Sequence, residues 1–238
     1  MTVRIGTAGW GIPSAERPAF PQAGSHLERY AAVFDAVEIN SSFYRPHRRT
    51  TYERWAASVG DDFRFSVKLP RSISHAAAAD FEHGDLARFA DEIAGLGTKL
   101  GVVLVQFPPS LTFCADRAAA LFEALTAHLH CPLACEPRHA TWFAEAAELL
   151  LAGLRIARVG ADPARAEGAD VPAGWSKLCY HRLHGSPRTY YSKYEPAVLE
   201  ALRSTIESEA GEAVVWCIFD NTASGAATSN ALELKGFW

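Results

Sequence analysis

The sequence predicts a single (β/α)8 barrel of the α/β class, and three observations lead to this fold. The chain has 238 residues, close to the roughly 250 of a typical barrel of this kind. Short apolar, β-branched runs alternate with stretches of helical periodicity, which is typical of repeated parallel βα units. No Gly/Ser-rich linker or charge block interrupts them, so residues 1–238 are predicted to form one domain. Length alone also fits an open doubly wound sheet.

The elements follow one another in regular order. Eight strands are predicted at residues 3–7, 36–40, 64–69, 102–107, 133–138, 156–160, 178–184 and 214–221. Six helices with apolar residues near i, i+3 and i+4 are predicted at 27–34, 50–58, 86–96, 115–128, 144–152 and 198–210. Residues 161–175 are rich in Ala, Pro and Gly and give no helical pattern, so this is the least regular βα unit.

Composition restricts the class of protein. Hydrophobic residues make up 49% of the chain, enough for a large core without a metal or disulfide. The five cysteines include no CxxC pair, so buried free thiols are predicted; they are Cys114, Cys131, Cys135, Cys179 and Cys217. A net charge of −4 argues against a nucleic-acid partner held mainly by phosphate contacts. Neither a signal-peptide pattern nor a membrane-length apolar run is present, so a cytoplasmic location without membrane contact is expected.

Polar residues alternate with apolar ones near the C-terminal ends of several strands, as Glu38 and Asn40 alternate with Val37 and Ile39. Successive side chains of a strand point to opposite faces, so packing the apolar set against the helices directs the polar set into the barrel. The polar set predicted to meet in the barrel mouth is Glu38, Asn40, Lys68, Gln106, Glu136, Arg138, Arg158, Arg182, His184 and Asp220 or Asn221. The same parity directs His181 to the helix layer. The alternative is a set of solvated strand ends or structural ion pairs.

Seven sequence blocks resemble the DUF72, or YecE-like, family of proteins. They are GTAGW (6–10), FDAVEINSSFYRPHRRTTYERW (34–55), FRFSVKLPRSISH (63–75), LVQFPPS (104–110), EPRHATW (136–142), YHRLHG (180–185) and FDNTASGAATSNALEL (219–234). Their order and spacing cover nearly the whole chain. The resemblance implies a TIM barrel and no established activity, since the family is named for its unknown function. Asp220–Asn221 stands where the family pattern has Asn-Asn, which adds a negative charge.

Four residues of the predicted mouth are candidates for catalysis. Glu38 and Glu136 have the chemistry of an acid/base pair, although either carboxylate could instead neutralise a neighbouring cation. Lys68 would suit Schiff-base chemistry if burial lowered its pKa, and the alternative is a salt bridge to Glu38 or Glu136. His184 is a candidate for proton transfer.

The candidate ligand-binding residues are Asn40, Tyr44, Arg45, Gln106, Arg138, His139, Arg182, Asp220, Asn221 and Thr222. Their arginines favour a phosphate or carboxylate, and the loop after the last strand often binds phosphate in such barrels. Aromatic residues near strand ends offer stacking surfaces; they are Trp10, Phe43, Tyr44, Trp142, Tyr190 and Tyr191. Fold analogy alone suggests a divalent cation on Glu38, Glu136, His184 and Asp220, so no metal ligand is assigned and the cofactor is left open.

Three functions fit these residues. The first is an enzyme acting on a small polar or anionic metabolite of the sugar-phosphate type. The second is a protein that binds nucleic-acid fragments and is associated with repair, holding a base with aromatic and Arg side chains. The third is a ligand sensor without catalytic activity. The sequence does not decide whether the protein is an enzyme, and it leaves the oligomeric state open.

Overall fold

The computed structural model of the chain describes residues 2–76 and 83–238. The strands are β1 (Thr2–Thr7), β2 (Ala36–Ile39), β3 (Arg64–Lys68), β4 (Leu100–Gln106), β5 (Leu133–Glu136), β6 (Ala157–Arg158), β7 (Gly160–Asp162), β8 (Ala173–Gly174), β9 (Leu178–Leu183) and β10 (Val214–Phe219). The α-helices are α1 (His26–Ala31), α2 (Arg49–Ala57), α3 (Arg71–Ser74), α4 (His83–Ile93), α5 (Ala115–His128), α6 (Glu145–Gly153), α7 (Pro196–Glu209) and α8 (Ala226–Lys235). Within the described ranges, no helix has the length and apolarity needed to span a membrane.

The strands form two sheets that together follow the order of a (β/α)8 barrel. One sheet has the order β1-β10-β9-β7, and the other has the order β2-β3-β4-β5-β6-β8. All pairs are parallel except β6 with β8. The sheets meet at two seams. At the first, Ala8 and Glu38 form an isolated parallel bridge, and the Gly9 amide donates to the Glu38 carbonyl at 2.8 Å. At the second, β6 and β7 are separated in the chain only by Val159.

The predicted sixth strand differs from the observed one. Instead of one strand over 156–160, the chain pairs with β5 through β6 and then with β9 through β7. The segment that follows folds back against Gly160, where a β-carbon would lie 2.6 Å from the Asp170 carbonyl oxygen. The residues without a helical pattern therefore contribute β7 and β8 and no helix.

Helix α8 was not predicted because its buried face has little hydropathy contrast. Ala227, Ala231 and Leu234 are buried with helical spacing, but the polar Thr228 and Asn230 are buried beside them. Asn230 compensates through hydrogen bonds with the backbone of Tyr194 at 3.0 and 2.9 Å. A buried amide with its partners satisfied is stable in a core, but it obscures the periodicity on which the prediction depends.

Apolar side chains form two layers, one on each face of the strands. The inner layer fills the barrel and consists of Ala36, Val102, Leu104, Ala134, Ala157, Val159, Leu178, Tyr180, Trp216 and Ile218. The outer layer packs the alternate strand residues, such as Val37 and Val103, against the helices. Tyr180 and Trp216 stack inside the barrel, with ring centroids 5.9 Å apart and an angle of 6° between their planes. The barrel is thus filled at its base and centre, and polar side chains occupy its carboxyl end.

Candidate functional site

Arg182 lies at the centre of a buried cluster of charged side chains. It is completely buried. It donates two hydrogen bonds to Glu38, from Nε to Oε2 at 2.9 Å and from Nη2 to Oε1 at 2.7 Å. Nη1 donates to Oε2 of Glu136 at 3.0 Å, and Nη2 lies 3.0 Å from Oδ2 of Asp220. One guanidinium therefore joins the carboxyl ends of β2, β5, β9 and β10.

Glu136 accepts hydrogen bonds from four side chains. Besides the bond from Arg182, Oε2 accepts from Gln106 Nε2 at 2.8 Å, and Oε1 accepts from Arg138 Nη2 at 3.1 Å. Oε1 also lies 3.0 Å from Nε2 of His184. The other ring nitrogen of His184, Nδ1, lies 3.0 Å from Oδ2 of Asp220. The imidazole thus bridges two carboxylates, an arrangement that favours its doubly protonated form.

Glu38 lies below this level, between the mouth and the apolar filling of the barrel. It is completely buried. The Tyr180 hydroxyl lies 3.0 Å from its Oε2 and 2.9 Å from the Ser66 hydroxyl. With the bidentate bond from Arg182, the carboxylate is saturated. Glu38 consequently forms the floor of the site and holds Arg182 in place.

Lys68 differs from the other cations of the cluster because no hydrogen bond holds it. Its side chain is 4% exposed, and Nζ lies 4.2 Å from the centroid of the Phe43 ring. Over residues 2–76 and 83–238, Nζ makes neither a hydrogen bond nor an ion pair with another residue. The alternative of a salt bridge to Glu38 or Glu136 is therefore wrong. Nζ also keeps some contact with solvent.

The environment of the cluster changes the ionisation of its members. Burial raises the pKa of Glu136, but the charges of Arg182 and His184 outweigh this effect and hold the pKa well below its usual range. Burial lowers the pKa of His184, and the charge of Glu136 with the two hydrogen bonds outweighs it, so the pKa is raised. For Lys68, burial and then the positive charge of Arg182 lower the pKa to about 8. The cluster therefore combines two carboxylates of lowered pKa, Glu136 and Asp220, with an imidazole of raised pKa and an amine that is partly deprotonated at neutral pH.

Three of the predicted ligand-binding residues follow β2. Asn40 begins the 3-10 helix Ser41–Phe43, and its Oδ1 is buried without a hydrogen-bond partner. Tyr44 and Arg45 are exposed beyond this helix. They line a shallow cavity of about 310 Å³ beside α3 and α4. The three residues thus lie at the rim of the mouth, outside the ion-pair network.

Three other predicted ligand-binding residues lie outside the charged cluster. His139 caps the 3-10 helix Ala140–Phe143, because its Nδ1 accepts from the Thr141 amide at 3.3 Å. Asn221 is buried and donates from Nδ2 to the Ser192 carbonyl at 2.9 Å. Thr222 is exposed and lines a cavity of about 390 Å³ beside the start of α8. None of the three contacts the charged cluster through a hydrogen bond within the described residues.

The alternation of side chains along the strands predicts the directions of His181 and Arg158, and the structure agrees with the first prediction only. His181 points to the helix layer as predicted, with Nε2 lying 2.6 Å from Oε2 of Glu209 on α7. Arg158 was predicted in the mouth, and this prediction is wrong. Its side chain points outward, where it pairs with Glu148 on α6 and lies over the Phe143 ring. The inner positions of this strand are Ala157 and Val159, so the side chain between them must face the helices.

The described residues contain no group of three or more His, Cys, Asp or Glu side chains arranged to hold a metal ion. The four residues suggested by fold analogy do lie together. The oxygens of the three carboxylates, however, face the guanidinium of Arg182, which lies where a cation between them would have to lie.

Three residues that lie at the site in the structure were not predicted as site residues from the sequence. Tyr180 and Ser66 share the parity of Arg182 and Lys68, so the same rule, extended one layer deeper, would have found them. Tyr190 was named only as one of several aromatic residues. It hydrogen-bonds Arg138 and contacts the His184 ring edge-on, with centroids 5.7 Å apart. Its position depends on the loop after β9, for which the sequence has no periodic signal.

The fold and the cluster define the class of protein: a (β/α)8 barrel with a charged site at the carboxyl ends of its strands. Within this class the chain belongs to the DUF72 family, described as a protein of unknown function, which matches residues 4–237. The resemblance noted from the sequence blocks is thereby confirmed.

Relatives of known sequence and structure agree with this assignment. The UPF0759 protein YecE of Escherichia coli K12 is 32% identical over 116 residues, which are 48% of this chain and 42% of YecE. The UPF0759 protein YunF of Bacillus subtilis 168 is 26% identical over 147 residues, which are 59% of this chain and 52% of YunF. The matches thus span about half of each curated relative or less.

Two solved structures confirm the fold. A DUF72 family protein from Enterococcus faecalis V583 superimposes with a TM-score of 0.83 at 21% identity, covering 99% of this chain and 94% of that chain. A DUF72 family protein from Thermotoga maritima MSB8 gives a TM-score of 0.81 at 24% identity, covering 100% and 99%.

Proposed function

We propose that the protein is an enzyme acting on a small anionic metabolite, of the sugar-phosphate type, in the mouth of the barrel. The observation that carries this proposal is the ammonium group of Lys68, which is nearly buried and has no hydrogen-bond partner in the described chain. Most of the side chain is removed from water, but Nζ still reaches solvent, so a ligand in the mouth can contact it. A largely desolvated cation without a protein partner is stabilised by an anionic ligand.

The residues of the cluster divide into those that meet the ligand and those that hold them. Lys68 has no hydrogen bond to another described residue and the Arg138 side chain is partly exposed, whereas the ring nitrogens of His184 and the guanidinium of Arg182 contact carboxylates. Arg138 is suited to bind the anionic group, since a guanidinium offers donors in a fixed geometry. His184, protonated between two carboxylates, is suited to supply a proton. Glu136 and Glu38 then act as positioning residues, which changes their expected role as an acid/base pair.

The binding step is tested by thermal unfolding in the presence of a panel of phosphorylated and carboxylated metabolites. A ligand at ten times its Kd should stabilise the protein by about 1.4 kcal/mol. Arg138→Gln should lose this stabilisation, and the matched surface variant Arg49→Gln should retain it. A panel without any stabilising anion would contradict the proposal. Salt-dependent binding of single-stranded oligonucleotides would instead support the nucleic-acid alternative.

The catalytic step is tested on any metabolite that binds. Glu136→Gln removes the charge that orients Arg138 and His184 and should abolish turnover while the protein stays folded. Circular dichroism and the urea midpoint of the variant provide the check on folding. Turnover that survives in a folded Glu136→Gln protein would remove this residue from the mechanism.

One observation favours a second candidate, a ligand sensor without catalytic activity. Both glutamates of the site are saturated with hydrogen bonds, as expected of a rigid binding site. Tight binding without chemical change, followed by NMR of the ligand, would support the sensor over the enzyme. The five free cysteines favour the cytoplasm as the compartment in either case.

A further inference from the structure

We infer that the metabolite carries an aldehyde or ketone, and that the amine of Lys68 forms a Schiff base with it. The inference rests on the proposed function and adds the chemical class of the reacting group. Lys68 Nζ is the cation of the cluster that no carboxylate binds, and it is positioned against the face of Phe43. A lysine amine is activated for this chemistry when it is desolvated or lies next to another cationic group.

Burial first, and then the charge of Arg182, favour the neutral form of Lys68, whereas three carboxylates favour its protonated form. Arg182 faces it from β9, and Glu38, Glu136 and Asp220 face it from the ends of β2, β5 and β10. The carboxylates already neutralise Arg182 through direct contacts. His75, after α3, is a further titratable neighbour whose pKa the charge of Lys68 helps to lower. With the pKa of Lys68 at about 8, roughly a tenth of the amine is uncharged at pH 7, against less than a thousandth for an ordinary lysine.

The chemical steps balance with groups that the site holds. The neutral amine attacks the carbonyl carbon, so a C–N bond forms and the carbonyl π pair moves to oxygen. A proton leaves nitrogen and one reaches that oxygen, giving a carbinolamine. His184, protonated between Glu136 and Asp220, supplies the proton with which the hydroxyl departs as water. The product is a protonated C=N bond between Lys68 and the ligand.

The experiment uses the smallest phosphorylated aldehyde, glycolaldehyde phosphate, because a site that takes a larger homologue also admits it. The full chain is incubated with the probe and sodium cyanoborohydride, whose hydride reduces the C=N bond to a stable secondary amine. Peptide mass spectrometry then locates the label among the five lysines, Lys68, Lys99, Lys177, Lys193 and Lys235. Lys68 should be labelled at least about tenfold faster than Lys193 at pH 7, despite the half-exposed side chain of Lys193.

Matched probes separate this inference from the proposed function. 2-Hydroxyethyl phosphate has the same skeleton without the carbonyl and should compete with the labelling of Lys68. If it stabilises the protein but the aldehyde never labels Lys68, the anion site stands and the Schiff base is refuted. If unphosphorylated glycolaldehyde labels Lys68 as fast as the phosphate, the Schiff base stands and the anion site fails.

Variants and pH complete the test. Lys68→Arg keeps the positive charge but lacks the nucleophilic amine, so labelling at this position should disappear, whereas Lys193→Arg should leave the labelling of Lys68 unchanged. The rate at Lys68 should rise as the pH increases toward about 8, because only the neutral amine attacks. Labelling that merely follows the exposure of the five lysines, in the folded wild-type protein, would overturn the inference.

Discussion

Arg182 combines complete burial with three carboxylate partners, Glu38, Glu136 and Asp220. Removing one partner of a buried ionic network leaves the others without compensation, and this is far more costly than the net contribution of the intact network. At the level of single residues, the stability of the protein therefore depends on this guanidinium.

The substitution Arg182→Met tests this dependence. It keeps an unbranched side chain but leaves three buried carboxylates without their cation, so the free energy of unfolding should fall by about 3–5 kcal/mol. Urea denaturation followed by fluorescence measures the change. Arg49→Met, in an exposed pair with Glu53 and Asp91, should leave the midpoint nearly unchanged. Equal effects of the two substitutions would contradict the assignment.

His184 provides a second test, in its pH dependence. Its folded-state pKa is raised above 6.5, so protonation stabilises the fold fully below pH 6.5. This contribution is lost as the pH rises through the folded pKa. NMR titration of the imidazole should give a pKa above 6.5, and Glu136→Gln should lower it. Glu123→Gln, which neutralises an exposed carboxylate on α5, should not change it.

Parity reasoning located much of this network from the sequence. Glu38 and Lys68 lie on the inner face between residues of the outer layer. Arg182 does so between Leu183 of that layer and His181, which contacts α7. The same reasoning failed for Arg158, since the strand is too short for its alternation to establish which face is inside. The alternation pattern also does not show which side chains pair with one another. The absence of a hydrogen-bond partner for Lys68 among the described residues is therefore evident only from the structure.

At the level of elements, the junction of β1 and β2 depends on a glycine. A β-carbon on Gly6 would lie 2.1 Å from the carbonyl oxygen of Ala36, far inside van der Waals contact. The small residue therefore allows the first two strands to approach where only the bridge between Ala8 and Glu38 joins them.

Gly6→Ala should accordingly destabilise the protein by about 1–3 kcal/mol, since the backbone has to move to accommodate the methyl group. The matched control is Gly153→Ala at the end of α6, where nothing lies within 4 Å of the added carbon. This control should be neutral or stabilising by up to about 1 kcal/mol. Thermal unfolding of both variants measures the difference, and a harmless Gly6→Ala substitution would show that the junction is looser than the structure indicates.

The elements predicted from the sequence agree with the structure wherever periodicity is strong. The predicted helix at 115–128 matches α5 residue for residue, and β4 and β9 lie within two residues of their predicted bounds. Besides the short helix α3, which was not predicted, the main elements that differ are the split sixth strand and α8. Both are determined by long-range packing, at Gly160 and at the buried Asn230, and such packing leaves no periodic signal in a local stretch of sequence.

At the level of the whole molecule, the ladder of hydrogen bonds does not run continuously around the barrel. It is complete from β1 to β10 and β9, and from β2 through β5. At the two seams, it is reduced to the contacts at Ala8 and to the turn of the chain at Val159. The seams should therefore open locally at a lower free energy than the continuous ladders.

Hydrogen–deuterium exchange followed by mass spectrometry measures this directly. Peptides covering β6 and β7 should exchange at least about ten times faster than peptides covering β9 and β10. The apolar interior is shared by all of them, so solvent exposure of side chains does not account for the contrast. Uniform protection around the barrel would mean that side-chain packing across the seams replaces the missing backbone bonds.

Glu38 belongs both to the seam between the two sheets and to the charged cluster. Its main-chain oxygen accepts the Gly9 amide where the two sheets meet, and its carboxylate orients Arg182 beneath the mouth. Because coupling between two sites is reciprocal, local opening of this seam and binding of a ligand in the barrel mouth should influence each other. A ligand that binds more tightly when Arg182 has this orientation should therefore stabilise the seam between the sheets, and opening of the seam on warming should weaken its binding.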